Sequence, residues 1–535
     1  MRIPYPQAAT VLTGVLNDKM NAPILTGAAG ARVDATATYR FEPVTDELRL
    51  EVTSGQYEKW RPSASSGPTP GAPIDLIATV VRADGQPAQV EVDRFVWELI
   101  DTSSEPGIAL NWPREAADTD YDLRFEALAG QVTEGEQRQR AIQQVPKGVQ
   151  DTARVLPYDW GGWSVLRVNA LLKDGRRLTG RYKGANEDDV RLPRRQAGSF
   201  IADGWKEELK ISDPDSADDE NDPEGDSNRG DGLTLYEEYR GFYENGEHIE
   251  GRPKKKDYFA LNYSGSIGMG GIRHFQRRSG LAVHGKLLRN ELSSARVINS
   301  NHRSAPHRVD QHGVIIRDAT FEGYAEAVGG PGNPGTPGTP GMFEYVGLPS
   351  KLPTLPTASA AVSYASATVA HELFHTVNVW HHGETDKSVV WRLDDSGVLI
   401  EVEIGNSGAE INAGRPISVQ NEADGSLTEG LRASLPNGGR MPRNLGANRG
   451  QHSGVENCVM RYDTADAYVM KTFVGFRYTF YPDEVPGAGL CDSAAGTNVN
   501  ASSRQPQSRY GDAAAERGDC KHQIVVNDAV TPKKR

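Results

Sequence analysis

Between about residues 73 and 205 the apolar positions alternate. Leu76-Ile77-Ala78-Thr79-Val80-Val81 runs into an Asp84-Gly85 turn, and Val90, Val92, Phe95, Trp97 and Leu99 follow. Tyr121, Leu123 and Phe125 repeat the pattern. Trp163, Val165, Leu166, Val168, Ala170 and Leu172 then lead to a second turn at Asp174-Gly175. Successive strand side chains point to opposite faces, so this alternation predicts strands joined by tight turns and packed as an all-β sandwich. Shorter alternations come earlier, through Val33, Ala35, Ala37, Tyr39 and Phe41, and through Leu48, Leu50 and Val52. They end in the linker-like stretch Ser63 to Gly71.

Downstream the period changes. Gly313 to Arg317 and Thr320 to Glu326 read as strands, and GGPGNPGTPGTPG, residues 329 to 341, reads as a flexible loop. After Pro353 and Pro356 the spacing predicts a helix over about 358–377, capped by Thr357 or Ser359. Val362, Val369, Leu373 and Val377 share one side of it, while Tyr364, His371 and His375 lie on another. A hairpin is predicted from Val389 to Ile404 around Asp395-Ser396-Gly397.

Composition narrows the class. The chain has 535 residues, 57 of them Gly and 32 Pro, and is only 37% hydrophobic, which implies several loop-rich domains. A net charge of −13 argues against a nucleic-acid partner, since phosphates would be repelled. No apolar run reaches the length of a membrane span. The N-terminus lacks the basic and apolar regions of a signal peptide, which leaves cytoplasmic location, a leader absent from this sequence, or another export route. Of the three cysteines, Cys491 and Cys520 flank a polar tail and would close a loop in an oxidising compartment, with Cys458 as a buried thiol. GRPKKK, residues 251 to 256, reads as a solvated turn, and His274, His284, His302, His307 and His312 as ordinary histidines.

The chemistry concentrates in His371-Glu372-Leu373-Phe374-His375-Thr376-Val377-Asn378-Val379-Trp380-His381. Positions i and i+4 lie one helical turn apart, so His371 and His375 can present two imidazoles to one metal, with Glu372 beside them. Asn is the residue after glycine most tolerant of a left-handed backbone. A helix end at Asn378 would therefore let the chain reverse and bring His381 back as a third ligand. Three nitrogen ligands with one open position describe a catalytic zinc. Glu384, Asp386 and Glu401 keep open a carboxylate as third ligand, and His382 a competing imidazole.

Three resemblances extend this reading. The 73–205 module resembles bacterial immunoglobulin-like domains, whose role would be a spacer or a surface for adhesion or substrate capture. The acidic run from 213 to 232 resembles an EF-hand-like or dockerin-like calcium loop, with Asp226, Asn228, Asp231 and Glu238 as ligands and one extra residue in the loop. The His371 run resembles the metzincin peptidases, with Asn378 in place of the motif's glycine. That likeness implies zinc on His371, His375 and His381, and Glu372 as general base. It implies a methionine turn at Met460, and Tyr462 as hydrogen-bond donor to the oxyanion.

The expected architecture is multidomain. It comprises a β segment with linker (1–72), an immunoglobulin-like β-sandwich (73–205), an acidic calcium-binding-like segment (206–250) and an α+β zincin-like catalytic domain (251–535). The expected function is zinc-dependent hydrolysis of peptide bonds in protein or peptide substrates, outside the cell or at its surface. The alternative is a non-catalytic surface or adhesion protein with a zinc-binding, degenerate peptidase domain.

Overall fold

The computed structural model describes residues 13–14, 39–40, 47–67, 69–114, 120–319, 324–327, 337–349, 358–380, 388–393, 399–404, 410–416, 458–460, 489–490 and 520–534. Strands β1 (Thr13–Gly14) and β2 (Tyr39–Arg40) form a small antiparallel pair. The next ten build one large sheet. They are β3 (Arg49–Thr53), β4 (Ile74–Val81), β5 (Val92–Ile100), β6 (Leu123–Phe125), β7 (Gln131–Glu134), β8 (Arg140–Gln143), β9 (Gln150–Pro157), β10 (Ser164–Leu172), β11 (Arg177–Tyr182) and β12 (Val190–Leu192). Their order is β6-β9-β4-β3-β11-β10-β5-β8-β7, with β12 also on β10.

One pairing makes this sheet mixed. β11 runs parallel to β3, with Gly180 opposite Leu50, and joins what would otherwise be two separate antiparallel sheets. Gly180 is required at that junction, because a Cβ there would lie 2.4 Å from Val168 Cγ1. The outer strands approach each other on the far side. Gln131 Nε2 of β7 donates to the Thr152 carbonyl of β9 at 2.7 Å, and the Trp97 indole of β5 donates to Asp151 of β9 at 2.7 Å. The sheet thus nearly closes into a barrel around Leu76, Ala78, Val80, Phe95, Trp97 and Val168, all buried.

This architecture corrects the expected fold class. The described residues are largely β, with only four α-helices, and do not amount to an immunoglobulin-like sandwich followed by an α+β zincin catalytic domain. Alternation along a strand reports which face is buried. It does not report the parallel β3–β11 pairing that turns two sheets into one.

The rest of the chain places the candidate site. Helices α1 (Asp203–Leu209) and α2 (Leu235–Arg240) pack around Trp205, Tyr236 and Tyr239. β13 (Phe242–Glu244) and β14 (Glu247–Ile249) form a hairpin. Then come β15 (Asp257–Asn262), α3 (Gly265–Ser279), β16 (Ala282–His284), β17 (Val314–Ala319), β18 (Tyr324–Ala327), β19 (Phe343–Pro349) and α4 (Ala358–His375). The five strands are ordered β16-β15-β17-β19-β18, with only the β18–β19 pair antiparallel. Along β15, Tyr258 and Ala260 enter the core shared with α3 and α4, while Phe259 and Leu261 enter a second core with Phe242 and Ile298. The predicted 388–404 hairpin forms as β20 (Ser388–Leu393) and β21 (Leu399–Ile404), extended by β22 (Glu410–Pro416).

Candidate metal and hydrolytic site

The sequence of α4 explains both its packing and its end. Val369, Leu373 and Val377 are buried, as are Ala370 and Phe374, whereas Val362 is exposed and takes no part in that core. The helix stops in a Schellman arrangement. Val379 N–H donates to the Phe374 carbonyl at 3.0 Å and Asn378 N–H to the His375 carbonyl at 3.2 Å, with Asn378 at φ 67°. The end of the Gly-Pro run braces this turn. Gly338 N–H donates to the His375 carbonyl at 3.0 Å, and the Gly338 carbonyl accepts from Asn378 N–H at 2.8 Å.

His371 and His375 lie one turn apart, their ring centroids separated by 4.9 Å and their planes at 89°. His371 Nδ1 is 2.6 Å from the Val459 carbonyl, and His375 Nδ1 is 2.8 Å from the Val379 carbonyl. A carbonyl only accepts, so both Nδ1 atoms carry the proton, and in each neutral ring the lone pair falls on Nε2. A metal-ligating imidazole is held in this way, with its other nitrogen donating to a carbonyl. The pair therefore fits a zinc ion as two of its nitrogen ligands. Glu372, between them in sequence, is largely buried. Met460 is fully buried in the core that holds α4, next to the Val459 that orients His371. His381, Tyr462, His382, Glu384 and Asp386 lie outside the described residues, as does the Glu401 side chain. The buried sulfurs of Cys458 and Cys520 lie 3.8 Å apart, and Cys491 lies outside the described residues.

The acidic segment is built differently from its sequence pattern. Asp231 and Glu238, both fully buried, come together with Asp257, and Asp231 is shared with a second group made with Asp218 and Glu220. Asp226 belongs to neither group. The Asp226 N–H donates to the His522 carbonyl at 2.6 Å, and the Asn228 carbonyl accepts from Lys256 Nζ at 2.8 Å. A linear calcium loop takes its ligands from one run of sequence. Here the partners of Asp231 come from a loop turn upstream and a strand downstream. Burial, then the charge of Glu220, pushes Asp231 and Glu238 well above the ordinary carboxylate range. Burial and the neighbouring Asp218 and Asp219 raise Glu220 to about 8. Lys256, expected in a solvated turn, is fully buried among these acids.

The scattered histidines also have defined settings. His284 is buried. Its desolvation is outweighed by hydrogen bonds to Asp257 and Glu244, which raise its pKa to about 9. His307 stacks on His302 with centroids 3.5 Å apart and bonds Glu237 at 2.7 Å.

No family model and no curated protein matches the chain. Among solved structures it is similar to the human F-spondin reeler domain, at 10% identity over 28% of this chain and 88% of that one, with a TM-score of 0.17. It is also similar to the Reelin-N domain of F-spondin, at 12% identity over 28% of this chain and 87% of that one, with a TM-score of 0.17. A third likeness is to Astrotactin-2, a vertebrate-specific, perforin-like membrane protein, at 13% identity over 30% and 24% of the two chains, with a TM-score of 0.13. Similarities this low carry no function or partner across. The described residues are mostly β. The assignment to the metzincin peptidases, with its immunoglobulin-like and dockerin-like companions, is corrected accordingly. The physical reason is that the run 371–381 specifies one helix and its turn, not the sheet around it. Among the described residues no helix is long and apolar enough to cross a membrane.

Proposed function

We propose that the chain is a zinc-dependent hydrolase acting on peptide bonds of protein substrates, with His371 and His375 among the zinc ligands and Glu372 as general base. The observation that carries this reading is the pair of Nδ1–carbonyl hydrogen bonds, which orient two imidazoles for one ion while a carboxylate stands between them in sequence. His381 is assigned as third ligand from its spacing after His375 and the helix end at Asn378. A zinc ion at this place supplies Lewis acidity, acidifying water and polarising a carbonyl. The residues do the rest. Val459 and Val379 fix the two tautomers, and Glu372 takes a proton from the attacking water and returns it to the leaving amine, while Met460 is buried in the core that holds α4. An extracellular or cell-surface location belongs to the same proposal.

The test pairs metal content with turnover. Glu372→Gln should retain zinc at one per chain and lose about 10²–10⁴-fold in cleavage of an unfolded casein-type substrate. His375→Ala should lose the zinc itself. Full activity in Glu372→Gln would sink the assignment. Stoichiometric zinc with no turnover in the unaltered chain would establish the alternative, a non-catalytic zinc-binding surface protein.

A further inference from the structure

We propose that Asp231, Glu238 and Asp257, with Glu220 beside them, form a buried site for one calcium ion that ties α2, the 218–232 loop and β15 together. Glu238 carries the unmet polar demand. Its side chain is fully buried, it belongs to the Asp231–Asp257 group, and neither of its carboxylate oxygens has a hydrogen-bond partner among the described residues. A buried carboxylate with nothing donating to it is costly in any protonation state, because even the neutral acid brings an O–H that needs an acceptor. One oxygen of Glu220 is in the same position.

The neighbouring groups do not remove that cost. Asp218 is already committed, accepting from the backbone of Asp231 and Gly232 and from Asn527 Nδ2. Lys256 is buried close by, yet its Nζ donates to the Asn228 carbonyl at 2.8 Å and makes no ion pair among the described residues. His284 is shared between Asp257 and Glu244. Two backbone N–H groups hold the Asp231 oxygens, from Leu233 at 2.9 Å and from Asp257 at 2.5 Å, and Arg252 N–H and His284 hold those of Asp257. Each of these oxygens keeps a second lone pair. The ligand set is therefore rigid, anionic and all oxygen, which selects a hard cation over zinc. Magnesium keeps most of its waters and demands octahedral geometry, so a buried carboxylate group from three separate segments suits calcium better.

The elements converge for local reasons. Thr234 caps α2 with a capping box to Glu237, which fixes the helix start and points the next residue, Glu238, inward. Gly251 lets the chain pass close to Glu238, since a Cβ there would come within 2.7 Å of the Glu238 Cβ. Asn527 bonds Asp218, so the C-terminal segment that also braces the end of α4 is anchored at the same cluster.

The experiment uses the full chain stripped of metal with a chelator and dialysed against radioactive calcium. One calcium per chain should be retained, with a rise of several degrees in the unfolding temperature, and magnesium at the same concentration should give a smaller rise. Glu238→Gln should weaken calcium binding at least tenfold. His375→Ala should bind calcium as the unaltered chain does, which separates this site from the proposed zinc site. No retained calcium in the stripped, folded chain would overturn the proposal without recourse to any variant. So would a folded Glu238→Gln chain that binds calcium as tightly as the original.

Discussion

At Asn378 a single residue decides where the histidine helix ends. Its φ of 67° is a left-handed conformation that a β-branched side chain adopts only with strain. Asn378→Gly should therefore leave stability within about 1 kcal/mol, while Asn378→Val should cost about 2 kcal/mol and weaken zinc retention, read by chemical denaturation and metal analysis. Equal stability of the two variants would refute the cap. This turn was legible in the sequence because spacing and the tolerance of Asn are local properties. The partner of His371 was not, because Val459 lies 88 positions away in the chain. The acidic cluster divides in the same way. Asp231 and Glu238 lie close together in sequence, in one turn and the start of α2. Asp257, Glu220 and Asp218 meet them only through the fold.

Between elements, the histidine helix is held by an unusually close approach to α3. A Cβ added at Gly271 would lie 2.3 Å from the Val369 Cβ, and one at Gly270 would lie 2.4 Å from Ser366 Oγ. These glycines let α3 rest directly on the half of α4 that carries His371 and His375. Gly271→Ala should force the helices apart, lowering stability by about 1–3 kcal/mol and loosening the imidazole pair. The urea midpoint and the zinc dissociation constant would report both effects, and an unchanged midpoint would mean that the contact yields freely. Elements of this kind were predictable one at a time. Strand alternation located β4, β5 and β10, and the 388–404 hairpin followed from its own pattern. The sheet order did not follow, since β3 reaches β11 across most of the N-terminal region and no local signal announces a parallel neighbour. An α+β catalytic domain was inferred from one strongly marked helix, and the large sheet around β3 to β12 outweighs it.

Across the whole molecule, the near-closed sheet and the site-bearing part meet at a buried polar seam. Asp159, just after β9, forms a bidentate pair with Arg240 at the end of α2, at 3.2 and 2.6 Å, both side chains almost wholly buried. Beside it Trp160 stacks on His248 of β14, with centroids 3.7 Å apart and planes at 5°, and His248 Nε2 donates to the Arg240 carbonyl at 2.8 Å. Burial holds the His248 pKa down at about 4, the carbonyl bond opposing that shift and the Arg240 charge adding to it. The unfolded chain binds a proton at its ordinary value near ~6.5, so between about pH 6.5 and 4 the unfolded state holds more protons than the folded one. Stability from this group is complete above that window, is lost as pH falls through it, and changes no further below about 4. Its upper bound is about 3 kcal/mol, reduced by the partial exposure of the ring. Other acids titrate in the same range, so the useful quantity is a difference. Denaturation of the unaltered chain and of His248→Gln, compared point by point from pH 7 to 4, should show the variant losing less stability on acidification. A constant gap across the window would show that His248 takes up its proton alike in the folded and unfolded chains, and would refute the depressed pKa.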